Sequence, residues 1–261
     1  MDKVESGRKT VLITGASAGI GRETAYVFAE HNYDLVLAAR RQERLEEIKR
    51  DIETRHGVSV SIFPVDLSRL DSAAALHAET IAKGLSIDIL INNAGFGTSG
   101  KFTEIDIDRE TEMLMLNTVT LTRLTKLFAR DMASRKRGHI VNIASTASFQ
   151  PIPGFACYAA TKAYVLSFSE ALEFELRADR VKVTAICPGA TESEFATTAG
   201  MEKAGMFDKA PNSRQLGEFI YKSTIGARRV AIHGLKNAIM VRAGKLMPRN
   251  FVMAVAAKLT R

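Results

Sequence analysis

Tyr158 and Lys162 stand four residues apart in the segment Tyr158-Ala-Ala-Thr-Lys162. In a helix that spacing brings the phenol and the ammonium to one face, where they can converge on one site. A free tyrosine titrates near pH ~10, and a neighbouring cation favours its phenolate. Such a pair can act as a general acid toward a carbonyl oxygen and as a base toward an alcohol. Alone the spacing is weak, because it also arises on solvated helix faces. Ser145 adds to it: this residue follows an apolar strand pattern at 139–143, where a hydroxyl reaches the carboxyl edge of a parallel sheet, the edge at which doubly wound folds bind ligands. There it can donate to the oxygen that Tyr158 protonates; capping a helix or turn is the competing use of a serine.

A second constellation lies near the N-terminus. The apolar run Val11-Leu12-Ile13 leads into Thr14-Gly15-Ala16-Ser17-Ala18-Gly19-Ile20-Gly21, and a helical pattern follows at once. Glycines between strand and helix let the backbone approach a pyrophosphate, and the helix N-terminus offers unpaired N–H groups. A tight structural turn would use the same residues. The second strand pattern ends Ala39-Arg40-Arg41, with no acid to bond a ribose 2′-hydroxyl. A guanidinium fork suits a 2′-phosphate, so the sequence predicts NADP(H), with Arg40 as the main contact and Arg41 or Ser17 in support. The competing reading is that both arginines merely solvate a helix start.

The elements that must position these groups alternate along the chain. Strand patterns at 10–14, 34–39, 59–64, 87–91, 139–143, 181–186 and 229–232 are separated by helical patterns at 20–31, 41–56, 71–83, 108–134 and 157–178. That rhythm predicts an α/β fold with a doubly wound parallel sheet between two helical layers. Without a linker or repeat, residues 1–261 are read as one domain: a cofactor-binding core at 8–190, a substrate loop and helix at 191–228, and a helical tail at 235–261. The irregular stretch 188–211 has the length of a functional lid.

Composition bounds the rest. The 261 residues carry a net charge of +7, and the basic residues are read as spread along the chain with no module for nucleic acid. Cys157 and Cys187 cannot form a disulfide framework, and no Cys or His spacing suggests a metal. The polar N-terminus lacks the apolar stretch of a signal peptide, and no run of about 18 apolar residues appears, which leaves the cytoplasm as the expectation. Phe149, Ile152, Phe155, Met201, Met206 and Phe207 suggest either an apolar substrate pocket or plain core. In the tail, Phe251, Val255 and Leu259 recur every fourth residue beside Arg249, Lys258 and Arg261. Packing against the domain or a second subunit is preferred there to contact with a membrane surface.

These motifs together resemble the short-chain dehydrogenase/reductase family over nearly the whole chain. The resemblance rests on TGxxxGxG at residues 14–21, Asn92-Asn93-Ala94-Gly95, Asn117 in a long helix, Ser145 thirteen residues before Tyr158, and Pro188-Gly189. It implies a seven-stranded Rossmann-type sheet of order 3-2-1-4-5-6-7 and a tetrad of Asn117, Ser145, Tyr158 and Lys162. Asn117 would bend its helix and hold a water that links Lys162 to solvent. Asp66, with Leu67 beside it, would receive the adenine amino group, and Asn92 would contact the adenosine ribose near Ala94 and Gly95. Residues 186–193 would wrap the nicotinamide, with Thr191 or Ser193 as its hydroxyl contact where the family often has a threonine. The implied reaction is hydride transfer between NADP(H) and a carbonyl or secondary alcohol carbon, in a homodimer or homotetramer. The alternatives are reduction of a 3-oxoacyl thioester, which a basic surface would serve by attracting an acidic carrier, and a cofactor sensor without turnover.

Overall fold

Runs of Val, Ile and Leu that are separated by helix-length connections pair in parallel, because each connection returns the chain to the same end of the sheet. The computed structural model describes residues 7–191 and 212–259. Its strands are β1 (Thr10–Thr14), β2 (Asp34–Ala39), β3 (Val60–Pro64), β4 (Ile89–Asn92), β5 (Gly138–Ile143), β6 (Val181–Cys187) and β7 (Val230–Ile232). All neighbouring pairs are parallel, in the order β3-β2-β1-β4-β5-β6-β7. Successive strand side chains leave on opposite faces, so Val11 and Ile13 enter one core and Leu12 the other.

On the first face lie α1 (Gly19–Glu30), α2 (Gln42–His56) and α7 (Ser213–Ile225), which contribute Phe28, Leu45, Ile52, Leu216 and Ile220 to a core with Leu35, Leu37 and Ile91. On the second lie α3 (Ser72–Ala82), α5 (Leu121–Ser134) and α6 (Ala156–Glu175). There Leu76, Leu124 and Phe128 pack on Val36, Leu90 and Ile140, and Val165 and Leu166 pack on Ala185 and Cys187. Burial on both faces explains why the strands read as continuous apolar runs instead of alternating ones. Between β1 and β4 the strand order reverses, and the carboxyl ends diverge into a crevice.

Two expectations about elements are refined. The single helix expected at 108–134 is α4 (Ile107–Leu114), a π-helical turn (Met115–Thr120) and α5; single π turns of this kind often mark functional sites. The tail is two helices, α8 (Leu235–Leu246) and α9 (Arg249–Leu259), parted at Pro248.

Candidate active site

The crevice deepens into a cavity of about 910 Å³ along the carboxyl edge, large for a ligand site on the usual scale of ~300–1,000 Å³. One end is the β1–α1 loop, where Gly15, Ser17, Ala18, Gly19 and Ile20 line the wall. Gly15 and Gly19 have φ of 67° and 51°, which glycine adopts without strain. The first turn of α1 holds neither a side-chain cap nor an acidic residue, so its N–H groups are available to an anion. Next to the loop, Arg41 Nε donates to Ser17 Oγ at 3.2 Å. Arg40 also lines the cavity and is largely exposed, with Glu112 at 4.0 Å. Asp66 and Leu67 close this end. Burial raises the Asp66 carboxyl, but hydrogen bonds from Ser68 N–H and Oγ–H, with Arg40 and Arg69 nearby, outweigh it and hold it below the usual range.

At the centre, Ser145, Tyr158 and Lys162 all line the cavity. The Ser145 hydroxyl hydrogen-bonds the Tyr158 phenol, and its oxygen also accepts Ala147 N–H at 3.1 Å. The turn cap, the competing use expected of this serine, is therefore made, and the same hydroxyl also meets the phenol. Lys162 is buried, and its Nζ donates to Ile143 O at 2.8 Å and stands 5.9 Å from the Tyr158 ring centroid. Burial pushes the phenol up to about 12, against the lowering effect of Ser145. It pulls the ammonium down to about 8. The phenol is thus raised where its neighbouring cation led to the expectation of a lowered value, because desolvation is the larger effect.

Asn117 sits in the π-helical turn, buried and outside the cavity lining. Its Nδ2 donates to Phe96 O at 2.9 Å and Thr161 Oγ1 at 3.2 Å, and its Oδ1 accepts Phe96 N–H at 3.2 Å. Thr161 Oγ1 donates in turn to Tyr158 O at 2.7 Å. The side chain thus clamps the segment after β4 to the start of α6, which fixes the wall formed by Ala94 and Gly95.

The far end is closed by Pro188, Gly189 and Thr191 and by the tail, through Val241, Gly244, Met247, Phe251, Val252 and Val255. Thr191 Oγ1 donates to Gly189 O at 3.2 Å, and Ser193 lies outside the described residues, as do Met201, Met206 and Phe207. A Cβ on Gly189 would stand 2.5 Å from Asn237 Nδ2, so the loop after β6 and helix α8 touch through a glycine. Ile152 and Phe155 complete the apolar wall, whereas Phe149 packs into the core and under Lys245 Nζ, 5.4 Å from its ring.

A family model described as short chain dehydrogenase matches residues 9–204. The chain belongs to the short-chain dehydrogenase/reductase family. It is 34% identical over 190 residues to an NADP-dependent 3-hydroxy acid dehydrogenase from Schizosaccharomyces pombe, covering 72% of this chain and 73% of that protein. To a very-long-chain 3-oxoacyl-CoA reductase from Pyrenophora tritici-repentis it is 34% identical, over 78% of this chain but only 60% of the other. A solved short-chain dehydrogenase from Sphingobium yanoikuyae in complex with NADPH superposes with a TM-score of 0.82 at 34% identity, over 91% and 94% of the two chains. The protein is therefore an oxidoreductase of this family.

Within this short-chain dehydrogenase, two expected cofactor contacts are corrected. Asn92 does not line the cavity; it is buried, and its Nδ2 donates to Thr125 Oγ1 at 2.9 Å and Asn142 Oδ1 at 2.8 Å. Side chains alternate along a strand, and it is Asn93 that reaches the crevice, donating from Nδ2 to Thr14 O at 2.8 Å. Gly21 does not line the cavity either: a Cβ there would meet Gly15 O at 2.3 Å, so its place is to let α1 pack on the loop. Sequence reasoning missed Asn93, Glu112 and the tail wall. Alternation from the buried Ile91 would have found Asn93; the tail carried only the weak four-residue period of Phe251 and Val255.

Proposed function

We propose that this oxidoreductase uses NADP(H) to interconvert a bulky apolar ketone and its secondary alcohol, with Tyr158 as general acid and base. The observation that carries the reading is the Tyr158 phenol bonded to Ser145 and backed by buried Lys162, in a cavity whose other end presents Arg40 and Arg41. A dinucleotide fits the residues present. Gly15, Ser17, Ala18, Gly19 and Ile20 offer backbone approach and uncapped N–H groups to the pyrophosphate, and Arg40, Arg41 and Ser17 form a fork for a 2′-phosphate. Asp66, Leu67, Asn93, Ala94 and Gly95 border the adenosine part, and Pro188, Gly189 and Thr191 the nicotinamide part. When bound, the cofactor supplies the ring carbon that gives or takes a hydride.

The chain's own groups manage the proton. A phenol held up to about 12 stays protonated at neutral pH and is poised to donate to a carbonyl oxygen. The Ser145 hydroxyl fixes the direction of that phenol. The Lys162 cation then favours the phenolate left behind, and the Asn117 clamp keeps the wall beside it in place. Ile152, Phe155, Phe251, Val252 and Val255 exclude water and supply apolar surface for the substrate. A 3-oxoacyl thioester is the second reading, favoured by the named activity of the Pyrenophora tritici-repentis relative.

NADPH oxidation against a panel of aryl ketones, steroids, quinones and 3-oxoacyl thioesters tests both. Tyr158→Phe is expected to lower kcat by about 10²–10⁴-fold with little change in NADPH affinity; a variant with near-normal turnover ends the assignment.

A further inference from the structure

The positive charge of this chain is not spread evenly, as the sequence first suggests. After Glu218 there are nine Lys and Arg and no Asp or Glu, so residues 1–218 sum to −2 within a whole-chain charge of +7. Arg229 is engaged by Glu173 at 2.7 Å, but Lys236, Arg242, Arg249 and Lys258 make no ion pair among the described residues.

The helix that carries much of this charge has two apolar faces. Val241 and Gly244 turn inward to the cavity. On the opposite side Leu235, Ile239 and Leu246, at i, i+4 and i+11, are 76%, 56% and 90% exposed and take no part in the lining. Isolated exposed leucines are ordinary; a row of them along one helix face is not. Leu246, Met247 and Pro248 form the tip between α8 and α9, bracketed by Lys245 and Arg249. Bulky aliphatic groups at a tip, with flexible cations on either side, match the layered chemistry of a lipid headgroup region.

We propose that the α8–α9 segment docks this protein on an anionic bilayer surface, with Ile239 and Leu246 entering the interfacial layer and the surrounding Lys and Arg meeting lipid phosphates. No helix among the described residues is long and apolar enough to cross a membrane, and the contact is with one leaflet. A second copy is the weaker occupant, because a two-fold axis through this face would set the five cations of α8 and α9 against the same five, with no carboxylate on either helix. An acidic protein matches the charge, but lipid also accepts the bare aliphatic tip.

Flotation of the full-length protein, without cofactor or substrate, tests the docking. Phosphatidylcholine vesicles are compared with vesicles containing about one-third phosphatidylglycerol, at ~0.1 M salt. At least about tenfold more protein should float with the anionic vesicles, and raised salt should release it. Leu246→Glu and Ile239→Glu should each abolish flotation while leaving the melting temperature and NADPH affinity unchanged. Absent or equal binding to the two vesicles overturns the proposal, and that comparison needs no variant. So does sedimentation showing that Leu246→Glu dissociates a dimer, which would hand the face to a second copy, or displacement from vesicles by an acyl carrier at equimolar concentration.

Discussion

The two ends of the cavity are built by opposite means. The β1–α1 end is backbone and hydrogen bonds: Thr14 Oγ1 accepts Asn93 N–H and Ala94 N–H, both at 3.0 Å, and Asn93 Nδ2 binds back to Thr14 O. Its polar groups are fixed before any ligand arrives. The tail end is side-chain surface, with Phe251 and Val255 still 55% and 44% exposed. The first end suits one invariant polar molecule, the proposed cofactor, because such recognition requires preorganised donors. The second holds apolar surface that binds by burial, which is non-directional and tolerant of shape. Specificity for the cofactor and for the substrate therefore have different physical origins, and they should fail separately.

Of the two ends, the charged one should show the larger effect. Arg40→Asp removes a guanidinium and introduces a carboxylate where the 2′-phosphate would lie. It should raise KM for NADPH by about 100-fold while improving use of NADH, since charge-assisted hydrogen bonds are worth ~1.5–3 kcal/mol each. An unaltered NADPH/NADH ratio would separate Arg40 from cofactor choice. Between the ends, Lys162 should set an alkaline limb. Burial lowers its ammonium to about 8, so it loses its proton as pH rises through that value, whereas Tyr158, raised to about 12, remains protonated. In the reducing direction kcat/KM for NADPH, which reports the free enzyme, should be level at neutral pH and fall above about 8. Lys162→Arg keeps the charge and should carry the limb beyond pH ~10; a limb that stays near 8 would belong to another group.

Two smaller effects sharpen the contrast. Asn92→Ala should lower stability by about 1–3 kcal/mol, because Asn142 loses a buried partner. It should leave KM for NADPH unchanged, as chemical denaturation beside steady-state kinetics would establish; a selective loss of cofactor affinity would restore Asn92 to the site. Phe251→Ala, at the tail wall, should raise KM for bulky apolar substrates by about 3–10-fold, equivalent to part of a buried aromatic side chain. NADPH kinetics should not move.

The same contrast governs what the sequence makes legible. The sheet order, the loop at Thr14 to Gly21 and the Ser145, Tyr158 and Lys162 cluster follow from local patterns, since strand period and glycine spacing are properties of contiguous residues. Asn92 and Asn93 were exchanged because a run of four small and polar residues after Ile91 hides the pleat. The break in the helix around Asn117 was expected only as a bend. The π-helical turn depends on Phe96 and Thr161, which are 21 and 44 residues away. The tail was legible only as a face that packs on the domain or a second subunit, because α8 reaches the cavity by meeting Gly189, a tertiary contact with no local signature.

Ser145 has one hydroxyl proton and two neighbours to satisfy. Its oxygen accepts Ala147 N–H, and the same hydroxyl meets the Tyr158 phenol. The turn at 146–149 therefore works as a jig: a backbone amide two residues along the chain holds the serine still, and the phenol is registered against the cavity before any carbonyl arrives.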